Sequence, residues 1–182
     1  MRALATLIFL VTAFGVVGLL ADYFRGDAAL LLRLAIDLLL SFVAVLVHEL
    51  GHAAAAWRLG ADVHGIVVLP LELRLSPPRL RMRWRAGKAD IGGYVSYSLD
   101  RIDARRKHMM IAAAGPVASM LLAGVAGLIG HLAGVTTLVG TLFGALALLS
   151  GGMGLANLVP FKGSDGRHLL QGFRVGRRTK VR

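Results

Sequence analysis

The chain has 182 residues, 56% of them hydrophobic and 17% charged, with no cysteine and a formal charge of +11. At a mean hydropathy of +0.68 this composition excludes an ordinary soluble domain. The lack of cysteine excludes disulfides and thiolate metal sites, so any metal must be held by His, Asp or Glu.

The first apolar run, Ala3 to Ala21, carries no charge and is long enough, at about 1.5 Å per residue, to cross a hydrocarbon core. A cleaved signal peptide is the competing reading, weakened by the length of the run and by a basic region of one arginine. The second run, from about Ala28 to Trp57, is interrupted by Arg33 and Asp37, four apart on one face, where an ion pair with Arg33 reaching outward is expected. It ends on VLVHELGHAAAAWR, Val45 to Arg58. At about 100° per residue His48 and His52 are only about 40° apart around the helix, with Glu49 on the same side, so all three can face one ion. H-E-x-x-H on a helix is a metal-hydrolase pattern in which two neutral imidazoles bind zinc and the glutamate takes a proton from the activated water. The competing reading is a pair of core histidines satisfied by the backbone. Against it, polar groups in a membrane helix are costly, and glutamate occurs here only at Glu49 and Glu72.

The middle segment is basic, and Arg79 to Arg85 alternates with period two, which predicts a strand with one basic and one apolar face lying on an anionic leaflet. Ile66 to Leu75 and Ile91 to Ser98 are also strand-like, so a small sheet or hairpins are expected, with a solvated linker as the alternative. From Met109 to Phe161 there is no Asp, Glu, Lys or Arg, too long a run for one crossing, and His131 to Gly134 is the expected turn of a helical hairpin. Beyond it lies NLVPFKGSDGR, Asn157 to Arg167, where Pro160 ends the last span and Gly163 and Gly166 permit a tight return that can carry Asp165 back into a bundle. Taken alone, that stretch reads as an ordinary loop.

The expected fold is a mainly α membrane protein of about four transmembrane helices with a small β-hairpin or sheet at the cytoplasmic membrane surface. Residues 1–182 form a single membrane domain: 1–27 an extra N-terminal span and short loop, 28–60 the HELGH span, 61–107 a β-rich cytoplasmic segment, 108–161 the helical hairpin, and 162–182 an Asp-Gly loop and basic tail. Lys and Arg crowd the middle segment and the tail, which puts both termini in the cytoplasm and accounts for the charge without a nucleic-acid partner.

A catalytic zinc needs a third protein ligand. The candidates are Asp37, His64, His108, His131, Asp165 and His168. Spans two and four then run in the same direction, and the histidine motif lies within about 14 Å of the inner end of its helix, the depth at which Asp165 follows span four. His131 is at the opposite face and Asp37 about three turns outward. His64, His108 and His168 are on the correct side without a motif around them, and His168 stays as second choice.

HELGH together with Asn157-x-x-Pro160 and Asp165-Gly166 resembles the site-2 protease family of intramembrane zinc metalloproteases. Gly92-Gly93-Tyr94-Val95 and Ala114-Gly115-Pro116-Val117-Ala118-Ser119 are similar to further elements of that family, so the resemblance runs from about Ser41 to Leu170. Two departures, Ser119 where many members carry Asn and Lys162-Gly163-Ser164 in place of a prolyl, apolar stretch, bear on substrate contacts more than on metal binding. The resemblance implies one zinc ion per chain held by His48, His52 and Asp165, with Glu49 as general base and acid. It also implies Asn157 as a polar contact near the carbonyl or its oxyanion, although Asn157 can equally cap span four. Gly115 and Pro116 are expected to pack.

The implied function is zinc-dependent hydrolysis of a peptide bond in or near the transmembrane segment of a membrane protein, in a bacterial or archaeal cell membrane. If the sheet has a free edge, a substrate is expected to dock on the 61–100 segment as an extended strand. The alternatives are a non-proteolytic membrane metal-binding protein, which would spread polar groups through the bilayer, and an inactive scaffold, which would tolerate loss of Glu49 or Asp165.

Overall fold

The computed structural model describes residues 1–26, 29–82 and 92–179. Among the described residues there are five helices, α1 (Arg2–Tyr23), α2 (Ala29–Arg58), α3 (Ala104–Ala133), α4 (Leu138–Leu158) and α5 (Asp165–Thr179), and four short strands, β1 (Asp62–Val68), β2 (Leu71–Leu75), β3 (Pro78–Met82) and β4 (Gly93–Ser98). Helices α1 to α4 are long and apolar enough to cross a membrane.

Their packing is the reverse of a soluble bundle. The residues that α2 buries are Ala44, His48, Glu49, His52, Ala53 and Ala56, while most of its leucines point outward, Leu31 and Leu38 among the most exposed. Helix α4 likewise buries Gly140, Thr141, Ala145, Leu146, Ser150 and Gly154. Where lipid is as apolar as leucine, close backbone approach and polar contact hold helices together, so small residues turn inward. Gly51 shows the tolerance: a Cβ there would lie 2.7 Å from the Ala114 carbonyl of α3.

Gly134 closes α3 with φ +86 and Thr137 Oγ1 caps α4 by accepting from Gly140 N at 3.0 Å. The turn therefore falls on 134–137, three residues beyond its expected place, because a helix runs on until a residue that tolerates the left-handed region. Arg33 also departs from expectation. Its Nη2 donates to the Gly26 carbonyl at 3.3 Å, and among the described residues no ion pair joins it to Asp37.

The sheet is antiparallel in the order β3-β2-β1-β4. The strand-like run from Ile66 to Leu75 forms a hairpin of β1 and β2 that turns at Leu69 and Pro70, since proline cannot donate to a ladder. In the β2–β3 register Arg74 faces Arg79 and Glu72 faces Arg81, while Leu73 faces Leu80 and Leu71 faces Met82. Directly opposed residues share a face, so the basic and apolar sides anticipated for this segment exist through Met82. Arg83 to Arg85 and Ile91, the rest of those sequence expectations, lie outside the described residues, as do 180–182.

Helix α5 is an addition to the sequence reading, which took 162–182 as loop and tail. Ser164, fully buried, makes it: its Oγ donates to the Val159 carbonyl at 2.7 Å and accepts from Phe161 N at 3.0 Å and from Arg167 N at 3.3 Å, the last an N-cap bond.

Candidate metal centre

Three donors meet where α2, α3 and the start of α5 come together. His48 Nε2 lies 3.2 Å from Asp165 Oδ2, His52 Nε2 lies 3.4 Å from Asp165 Oδ1, and the two imidazole Nε2 atoms are 3.2 Å apart. One turn of α2 separates the histidines, and their rings meet edge to face at 82°. Among the described residues His48, His52 and Asp165 form a cluster of metal-capable groups, and Glu49, although it is the next residue, is not part of it.

The fit to zinc can be judged on those distances. A tetrahedral ion with ligands at about 2.0–2.1 Å needs donors about 3.3 Å apart along each edge, which is the spacing found here. The second observation concerns the far side of each ring. His52 Nδ1 lies 2.7 Å from the Ile111 carbonyl, which can only accept, so Nδ1 carries the proton and Nε2 offers a lone pair to the site. His48 Nδ1 lies 2.8 Å from Ser119 Oγ, a hydroxyl able to accept its proton when Nε2 offers the lone pair. Orientation of a ligand histidine through its other nitrogen is the usual support of a metal site.

Asp165 arrives from the first turn of α5. Burial pushes its carboxyl up, but hydrogen bonding and charge from His48 and His52 outweigh that and hold it below the usual carboxylate range. The floor of the site is backbone. A Cβ at Gly115 would collide with the His52 imidazole and come within 2.8 Å of His48 Nε2, so only glycine fits between α3 and the rings.

Glu49 is buried beside the start of β4, where a Cβ at Gly93 would lie 2.9 Å from its Oε1. The GGYV stretch thus covers the carboxylate directly. Asn157, near the end of α4, brings its Nδ2 to 3.4 Å from His48 Nε2, which places its amide at the rim of the cluster.

The remaining sequence candidates are elsewhere. His64 bonds Ser98 Oγ at 3.1 Å, and His108 Nδ1 bonds the Tyr97 hydroxyl at 3.0 Å. The Tyr97 phenol is pushed up, first by burial and then by the charge of Asp165, so this pair stands near the centre without joining it. His131 is in the last turn of α3, and His168 is exposed on α5.

Ser119 is the residue that sequence reasoning misjudged. The sequence ties it to substrate contacts, whereas its hydroxyl is wholly buried against His48. Spacing could have found it, since it stands one turn from Gly115 on the same face of α3. Ser119→Ala is expected to weaken zinc binding by about 10–100-fold, the usual effect of removing such an orienting group. Competition against a chelator measures it, and unchanged affinity would mean that Ile111 and packing alone orient the rings.

The family model for Peptidase family M50 matches residues 37–140, from within α2 to the first turn of α4, and so includes both histidines and Glu49 but neither Asn157 nor Asp165. A curated protein of Methanocaldococcus jannaschii named as a zinc metalloprotease is 27% identical over 137 residues, 75% of this chain. The matched region makes up 34% of that relative's length. No solved structure matches the chain.

Proposed function

The chain belongs to Peptidase family M50, the site-2 protease family, and from that premise we propose that it is an intramembrane zinc metalloprotease cutting a peptide bond in or near the transmembrane segment of a membrane-protein substrate. The observation that carries the reading is the convergence of His48, His52 and Asp165, at tetrahedral spacing, beside a buried glutamate inside a bundle of membrane-length helices.

His48, His52 and Asp165 hold the metal. Zinc, when bound there, supplies Lewis acidity that lowers the pKa of a water to about 7 and polarises the scissile carbonyl. Glu49 accepts the proton of the attacking water and returns it to the leaving amine. Its place against Gly93 keeps the carboxylate out of bulk water and on one side of the donor cluster. The Asn157 amide, at the rim of the cluster, donates a hydrogen bond to the oxygen on which negative charge develops.

A helical substrate hides its peptide bonds, so it must be presented extended. Strand β4 begins at Glu49, and among the described strands it pairs only with β1. An unwound segment adding alongside β4 would run past the carboxylate with its backbone exposed, the mode of recognition by strand addition. The Lys and Arg of the middle segment and tail support an orientation with both termini on the cytoplasmic side and the reaction near that face of the membrane.

The test is co-reconstitution with a single-span substrate. Cleavage is expected to stop on removal of metal by a membrane-permeant chelator and to return on addition of zinc. Cleavage that survives with no metal in the protein would end the reading. A protein that binds zinc but cuts no single-span substrate would turn it toward a non-proteolytic metal-binding role.

A further inference from the structure

Asp165 is the first residue of α5, so the donor cluster is complete only where that helix is seated. One side of α5 closes on the bundle. A Cβ at Gly166 would collide with the Leu158 carbonyl of α4, and one at Gly172 with the Met109 side chain of α3. The Arg105 guanidinium also bonds the Gly172 carbonyl, through Nε at 2.9 Å and through Nη2.

Other side chains of α5 are open. Phe173 is 65% exposed and Leu170 37% exposed, and Arg167 and His168 are exposed beside them. The helix sequence DGRHLLQGFRVGRRT holds Arg167, Arg174, Arg177 and Arg178 against one acidic residue, and that residue is Asp165 itself, facing the two imidazoles. The first turn of α3, against which α5 packs, adds Arg105, Arg106 and Lys107. An exposed aromatic and a leucine among arginines, on a helix that follows a membrane-length helix within a few residues, are the features of a helix lying in the bilayer interface.

We propose that α5 docks on anionic phospholipid of the bilayer in which the chain itself sits, and that this docking holds Asp165 against His48 and His52. The occupant follows from charge. Apolar side chains enter the acyl boundary while guanidinium groups meet anionic headgroups. A second copy of this chain, itself of formal charge +11, would set like charge against this basic face and be repelled. The membrane then acts on the chemistry, because lipid composition decides how firmly the third donor is presented.

The inference rests on the zinc reading above, and the experiment separates the two. The full chain is reconstituted in phosphatidylcholine vesicles with and without phosphatidylglycerol, and zinc retention is measured against a competing chelator. Retention is expected to be stronger with phosphatidylglycerol on the order of tenfold, the scale of other groups that orient a metal ligand, and the difference should shrink at high salt. The double variant Phe173→Ser, Arg167→Gln should bind zinc when metal is in excess, yet lose the difference between the two vesicles. A Phe173→Trp reporter with Trp57→Phe and Trp84→Phe should be quenched by brominated lipid more strongly in the anionic vesicles.

Equal zinc retention in both vesicles, or a reporter that brominated lipid does not reach, would overturn the proposal. So would zinc retention that rises only on addition of an acidic polypeptide, which would assign the face to a protein partner. Absence of zinc under every condition would instead overturn the reading on which the inference stands.

Discussion

Glu49→Gln is expected to lower cleavage by about 10²–10⁴-fold, the range carried by a positioned acid–base group, while zinc content stays that of the wild type. Glutamine keeps the length and shape of the side chain, so the contact with Gly93 at the head of β4 survives. It cannot take a proton from water at neutral pH. Glu49 is also outside the donor cluster of His48, His52 and Asp165, so its loss removes no metal ligand. The pairing of results is what discriminates: cleavage of a co-reconstituted single-span substrate is followed on gels, and bound zinc is counted by elemental analysis on the same sample. Full cleavage by the variant would sink the assigned role. Loss of both cleavage and zinc would move Glu49 into the metal shell, against its position here.

The spans were legible because a membrane imposes length and apolarity on each helix separately, and α1, α2, α3 and α4 all fall where uncharged or nearly uncharged runs stand in the sequence. The two histidines and Glu49 were legible for a related reason: an i, i+4 pair on a helix is local geometry. Asp165 is different. It meets His48 across 117 positions of sequence, and only depth along the membrane normal and the likeness to a known family pointed to it. What failed to be read were contacts that give a residue a second purpose. Gly166 and Gly172 look like breakers in a tail, yet each lets α5 touch a neighbour where a Cβ would collide. Ser164 reads as a loop residue until its hydroxyl is seen to bond three backbone groups around one turn. Ser119 similarly has no meaning in sequence until the imidazole behind it is placed.

Asp165→Ala is expected to cost more zinc affinity than the about 10–100-fold assigned to an orienting group such as Ser119, and with it all measurable cleavage. On the proposed reading the side chain would supply a ligand and also compensate charge beside the two imidazoles, whose Nε2 atoms lie 3.2 and 3.4 Å from its oxygens. The backbone around it should hold, since Ser164 caps α5 through its own hydroxyl and Gly166 and Gly172 keep the helix on α4 and α3. Chelator competition reads the affinity, and far-ultraviolet circular dichroism in detergent checks that the helices remain. Asp165→Glu supplies the finer test. It keeps the charge but adds a methylene to a carboxylate that already reaches both rings, so zinc should return in part while cleavage lags behind, because the ion is then held off its place relative to Glu49. If Asp165→Ala kept zinc at wild-type affinity, the third ligand would lie elsewhere. The close fit of the carboxylate to both histidines would then serve folding rather than metal binding, and the depth argument that singled out this residue would fail with it.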